Sequence, residues 1–111
     1  MIEINIETIQ QVTVVKPVGE IDASSAAAVQ KKVLPLSAPG CKIILDMSQV
    51  AYMSSAGLRM LLSIYRQISG NQGRIVLVGL SEELKDTMSM TGFLDFFTVH
   101  DLLETGLQAF S

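Results

Sequence analysis

Two short runs without alternation, Ile43-Ile44-Leu45 and Ile75-Val76-Leu77-Val78, constrain this chain more than any other feature. Successive side chains of a strand point to opposite faces of its sheet, so a strand with one wet face alternates apolar and polar residues. A continuous apolar run bounded by turn residues needs cover on both faces. That is the environment of a parallel sheet in an α/β fold.

The flanking segments agree. Ile2, Ile4 and Ile6 alternate with Glu3, Asn5 and Glu7, which predicts a strand buried on one face, and the β-branched stretch Val12–Val18 predicts a second strand close behind. Gly19-Glu20-Ile21-Asp22 reads as a loop. Ser24 or Ser25 is then expected to cap a helix over Ala26 to Leu34, with Val29 and Val33 inward, ending at Pro35, Pro39 and Gly40. After the strand Lys42–Asp46 comes a loop from Met47 to Ser54. Leu58, Leu61, Leu62, Tyr65 and Ile68 then fall at helical spacing, and Gly70-Asn71-Gln72-Gly73 stops that helix. Ser81 with Glu82 and Glu83 opens a third helix, with Leu84 and Met88 inward. Phe96–Val99 is expected to form a last short strand, and Asp101 to cap a final helix through Phe110. The order β-β-α-β-α-β-α-β-α predicts a mixed, mainly parallel sheet of about five strands with four helices in one domain over residues 1–111. The N-terminal strand is its natural edge, antiparallel to the rest.

Composition narrows the function. The chain has 111 residues, 49% hydrophobic and 17% charged, with 8 basic against 11 acidic residues and a net charge of −3. The basic residues are scattered, so neither a nucleic-acid footprint nor a lipid-binding polybasic run is present, and a protein partner is expected instead. No apolar stretch approaches the roughly 20 residues of a membrane span, and the alternating N-terminus does not read as a signal peptide. The one cysteine, Cys41, excludes an internal disulfide and fits a reducing cytoplasm. An enzyme is not expected. His100 is the sole histidine and stands beside Asp101 rather than near a serine nucleophile. No Cys/His cluster offers a metal site, no glycine-rich loop cradles a nucleotide, and no cofactor is implied.

The segment that carries chemistry runs from Asp46 to Leu62. A strand ends in Asp46, a loop follows, and a helix opens on Ser54-Ser55-Ala56-Gly57. A serine at a helix start can be a plain N-cap, or it can carry a phosphate where the helix field favours an anion by about 0.3–1 kcal/mol. Gly57 in the first turn costs a helix about 1 kcal/mol relative to alanine, which suggests close approach of another molecule. Asp22, Asp46 and Ser55 are all expected at the carboxyl ends of the strands, where open α/β sheets bind ligands.

These residues resemble the STAS domain of bacterial anti-anti-sigma factors (anti-sigma-factor antagonists). Asp46-Met47-Ser48 and Tyr52-Met53-Ser54-Ser55-Ala56-Gly57-Leu58 match the family's Asp-Leu-Ser and Met-Asp-Ser-Ser/Thr/Ala-Gly-Leu segments. Gly19-Glu20-Ile21-Asp22 resembles its Gly-Glu-Leu-Asp loop, and Ser89-Met90-Thr91-Gly92-Phe93 with Phe96-Phe97 its C-terminal close. Ser54 stands where well-known members carry Asp, which makes it a competing acceptor. The resemblance implies that Ser55 is phosphorylated and that Asp22, Asp46, Ser54, Ala56 and Gly57 form a partner-binding surface. Met60 and Ile64, on the edge of an unusually wide apolar arc, are either exposed contacts of that surface or core.

The implied partners are a GHKL-type serine kinase that doubles as an anti-sigma factor, and a PP2C-type phosphatase that resets the switch. The unmodified protein, a monomer or weak dimer, would bind the kinase and phosphorylation would release it. The alternative is a STAS module without switching, used as a stressosome-like scaffold or a lipid-transport accessory.

Overall fold

In the computed structural model, which describes residues 2–110, strands β1 (Glu3–Ile9), β2 (Val12–Val18), β3 (Lys42–Asp46), β4 (Arg74–Val78) and β5 (Thr98–His100) lie side by side in chain order. β1 is the edge strand, antiparallel to β2, and every later pairing is parallel. The hairpin joining β1 to β2 turns through Gln10 and Gln11, both at positive φ (53° and 69°), the backbone of a tight primed turn. Helices α1 (Ala23–Val33), α2 (Ser55–Gly70), α3 (Glu82–Met90) and α4 (Leu103–Gln108) complete the mainly parallel α/β architecture that the sequence predicts.

The continuous apolar runs are explained by a core on each side of the sheet. Val15, Ile43, Leu45, Ile75 and Leu77 point to one face, where they meet Val29 and Val33 of α1, Leu58 and Leu61 of α2, and Leu84 and Met88 of α3. Val12, Val14, Ile44, Val76 and Val78 point to the other, packed against Leu103, Leu107 and Phe110 at the C-terminus. Gly106 is needed here because a Cβ would lie 2.5 Å from Val78 Cγ1, so α4 rests directly on the sheet. β1 sits at the rim: Ile2 and Ile4 pack against the first core, whereas Ile6 is 42% exposed. The expected burial of one face of β1 is therefore incomplete, because the strand has a neighbour on one side only.

Three boundaries differ from the sequence expectations. The first helix begins at Ala23 and is capped by Asp22, not by Ser24 or Ser25. Phe96 and Phe97, expected to open the last strand, instead close a 3₁₀ turn over Phe93–Phe96 and pack on Tyr65, with ring centroids 5.7 and 5.4 Å away. β5 consequently starts at Thr98. The last helix starts at Leu103 without a side-chain cap. Asp101 instead accepts a charge-assisted bond from Lys85 Nζ at 2.7 Å, tying α3 to the β5–α4 turn. That contact holds the Asp101 carboxyl below its usual range and the Lys85 amine above its own.

The wide apolar arc of α2 also resolves. Met60 is 4% exposed and Ile64 fully buried, while Leu62 and Tyr65, expected inward, are half-buried. α2 leans on the sheet and on α1 together. Two neighbours need a broader stripe than one, and the reading of Met60 and Ile64 as exposed contacts is corrected to core. Cutting either to Ala is expected to cost roughly 2–5 kcal/mol, a large share of the ~5–15 kcal/mol typical of a whole domain. A urea midpoint close to wild type for Met60→Ala and Ile64→Ala would return them to the surface.

Candidate functional site

The site is assembled by backbone, from two loops at the carboxyl ends of β2 and β3. Ile21 and Met53 form an isolated parallel bridge: Ile21 N–H donates to Tyr52 O at 2.9 Å, and Ser54 N–H donates to Ile21 O at 2.8 Å. A third bond, from Gly19 N–H to Gln49 O at 3.2 Å, closes the same seam. Ile21 and Met53 are both buried. The β2–α1 turn and the β3–α2 loop thus behave as one short ladder, which sets the start of α1 beside the start of α2.

Gly57 is buried beneath that ladder. A Cβ on it would collide with Met53 Cγ and lie 2.9 Å from Ile21 Cγ2. The glycine is there for packing between α2 and the bridged loops, which corrects its reading as a surface that a partner approaches.

The two serines differ in what their hydroxyls do. Ser54 is the N-cap of α2, half-buried, and its Oγ accepts from Gly57 N–H at 3.4 Å. Ser55 is the first helical residue; it is exposed, and its hydroxyl forms no hydrogen bond within the described residues. The backbone N–H groups of Ser55 and Ala56 lie in the first turn, where a helix offers them no acceptor. The first turn of α2 also holds no acidic side chain.

The carboxylates part company in a similar way. Asp22 is exposed and caps α1, its Oδ1 accepting from Ser24 and Ser25 N–H at 3.0 Å each. Ser25 completes a capping box by accepting from Asp22 N–H at 2.8 Å. The bond from Ser25 N–H, then those from the Ser24 and Ser25 hydroxyls, hold the Asp22 carboxyl below the usual carboxylate range. Asp46 is only 8% exposed, and its Oδ1 accepts from Ser48 N–H at 3.0 Å. It shapes the turn after β3 and is not part of an exposed partner-binding surface, a correction forced by its burial. Ala56 is half-buried and lines a shallow groove with Ala23 and Ala27 of α1. Exposed Tyr52 was not singled out from the sequence, because nothing in a lone loop tyrosine signals that the ladder will hold it at the rim of the site.

Two outcomes are expected. Gly57→Ala, which in an open helix would gain about 1 kcal/mol, should instead lower the urea midpoint through overpacking of roughly 1–3 kcal/mol; a raised midpoint would mean that Met53 and Ile21 yield freely. Asp22→Ala should lower the midpoint at neutral pH. Because the folded carboxyl is depressed, its contribution is present above the unfolded value of about 3.9 and is lost as pH falls through the folded one. The gap between wild type and Asp22→Ala should therefore narrow in acid, and a gap independent of pH would show that the charge is not involved.

Among the described residues no cluster of His, Cys, Asp and Glu has metal-binding geometry, and no helix is long and apolar enough to cross a membrane. The chain is 31% identical over 90 residues to the anti-sigma-B factor antagonist of Bacillus subtilis, a match spanning 81% of this chain and 83% of that one. An anti-sigma factor antagonist from Mycobacterium paratuberculosis superposes with a TM-score of 0.84 at 27% identity, over 98% of this chain and 93% of the other. The anti-sigma factor antagonist SpoIIAA shares the fold in its unphosphorylated form, with a TM-score of 0.80 at 18% identity over 97% and 96% of the two chains. Its phosphorylated form gives 0.74, also at 18% identity, over 98% of this chain and all of that one. The STAS domain family matches residues 3–106. With that match spanning nearly the whole chain, the chain belongs to the STAS domain family.

Proposed function

We propose that this protein is an anti-sigma-factor antagonist that works by partner switching. Its unphosphorylated form binds and sequesters a GHKL-type serine kinase that doubles as an anti-sigma factor, and phosphorylation of Ser55 releases it. The observation that carries the reading is the division between the two serines: Ser54 holds the cap of α2, while Ser55 is exposed with an uncommitted hydroxyl. The relatives named as anti-sigma factor antagonists support the role.

The chemistry is a phosphoryl transfer performed by the partner. Ser55 Oγ bonds to the γ-phosphorus of ATP, ADP leaves, and the hydroxyl proton passes to a base on the kinase. A PP2C-type phosphatase hydrolyses the ester and restores the hydroxyl. Before transfer the start of α2 carries no negative charge, only Arg59 one turn on, and lies beside the alanine-lined groove and Tyr52. Phosphorylation adds about −1.5 to −2 charge there. A partner closing on it must desolvate that charge while Asp22 stands at the neighbouring helix start. Ser54 is half-buried with its Oγ already engaged by Gly57 N–H, whereas Ser55 is exposed, which favours Ser55 as the accessible hydroxyl.

The test uses Ser55→Ala as bait to capture the kinase, followed by incubation of the wild-type protein with that kinase and ATP. Mass spectrometry should place one phosphate on Ser55. Calorimetric titration should show Ser55→Ala binding like the unmodified protein, and Ser55→Asp binding about tenfold more weakly or worse, that is by ~1.4 kcal/mol. Phosphate on Ser54 alone, or equal affinity for the two variants, overturns the mechanism.

A further inference from the structure

Arg59 stands four residues after Ser55, so the two side chains are neighbours on one face of α2, a turn apart. Both are exposed. The ion pairs among the described residues both involve Lys85, which leaves the Arg59 guanidinium without a carboxylate. α2 contains no acidic residue at all; its charges are Arg59 and Arg66. α3 and α4, by contrast, carry Glu82, Glu83 and Glu104 in their first turns, as the helix dipole favours.

The α1 residues that line the groove with Arg59, namely Ala23, Ala26, Ala27 and Gln30, offer it no charge. No ion pair or hydrogen bond among the described residues engages the Arg59 guanidinium, and a phosphate one turn earlier would lie within its reach.

Building on the reading of Ser55 as the acceptor, we infer that Arg59 is the positioning residue for the Ser55 phosphate. Its planar fork matches two phosphoryl oxygens, and such charge-assisted pairs are short and strong. The pair lays the phosphate along α2 and removes the free Arg59 charge from the docking surface. The first two turns of α2 pass from +1 to roughly −0.5 to −1, so one modification inverts the sign that a partner meets. The acidic groups nearby are Asp22 at the cap of α1 and Glu20 before it. Lys31 and Lys32 of α1 border Ile2 and Ile4 of the edge strand, away from this groove. All four are the same in every variant compared.

The experiment is a ³¹P NMR pH titration of the full-length protein carrying phosphoserine at position 55, installed during synthesis so that no kinase is involved. The second phosphate pKa, near 6 in a free phosphoserine, should be lower in the wild-type protein than in Arg59→Gln by roughly 0.3 pH units or more. Arg59→Lys should recover part of the shift as a point charge, and Arg66→Gln should leave it unchanged. The difference should shrink at high salt. Equal phosphate pKa values in wild type and Arg59→Gln, or a shift removed equally by Arg66→Gln, overturn the assignment. That result would count against Arg59 alone, whereas failure of the kinase to phosphorylate Ser55 would count against the switch itself.

Discussion

The site exists because two loops share a backbone ladder. Without the Ile21–Met53 bridge, the turn after β2 and the loop after β3 would be separate surface connections, free to move apart. With it, Ser54 N–H is bonded to Ile21 O, which sets the cap of α1 beside the start of α2. Gly57 locks this arrangement from below. Its missing side chain admits Met53 and Ile21 into the space under the first turn, and the helix start is seated on buried apolar residues. A residue that lowers helix propensity is thereby the one that fixes where the helix begins.

Around that joint the polar groups are sorted by burial. Asp46, Ser25 and Ser54 satisfy backbone N–H groups and hold loops in shape. Ser55 and Arg59 satisfy nothing and face solvent. This separation is what a modifiable surface needs. Groups that bear structure cannot change charge without loss of stability, whereas groups that bear none can be modified while the fold stays as it is. The absence of acids from α2 adds to this, since a helix start already neutralised by glutamate would respond less to a phosphate.

Much of this architecture was legible in the order of residues. The two unbroken apolar runs required a sheet covered on both sides, and helical spacing after Asp46 and after Ser81 placed α2 and α3 with their caps. The Ser54-Ser55-Ala56-Gly57 step, with its resemblance to STAS domains, pointed to the start of α2. Less legible were the places where a side chain had two possible partners. Asp22 prevailed over Ser24 and Ser25 as a cap because a carboxylate can accept from two N–H groups at once while Ser25 returns a bond. Asp101 was drawn from its expected cap by Lys85, sixteen residues earlier and on another element. Phe96 left the strand pattern for the ring of Tyr65.

The sequence by itself determined the element order, the parallel core and the serine pair at the helix start, because these follow from local periodicity and capping chemistry. Tertiary structure decided what those residues are for. Met60 and Ile64 lie in the core because α1 flanks α2, and Gly57 serves packing because Ile21 arrives from a loop thirty-odd residues away. Ser54 and Ser55 are distinguishable only once one hydroxyl is seen to be bonded and the other is not. Periodicity records which side of an element is apolar. It does not record how many neighbours that side will meet, and that number is set by the assembled fold.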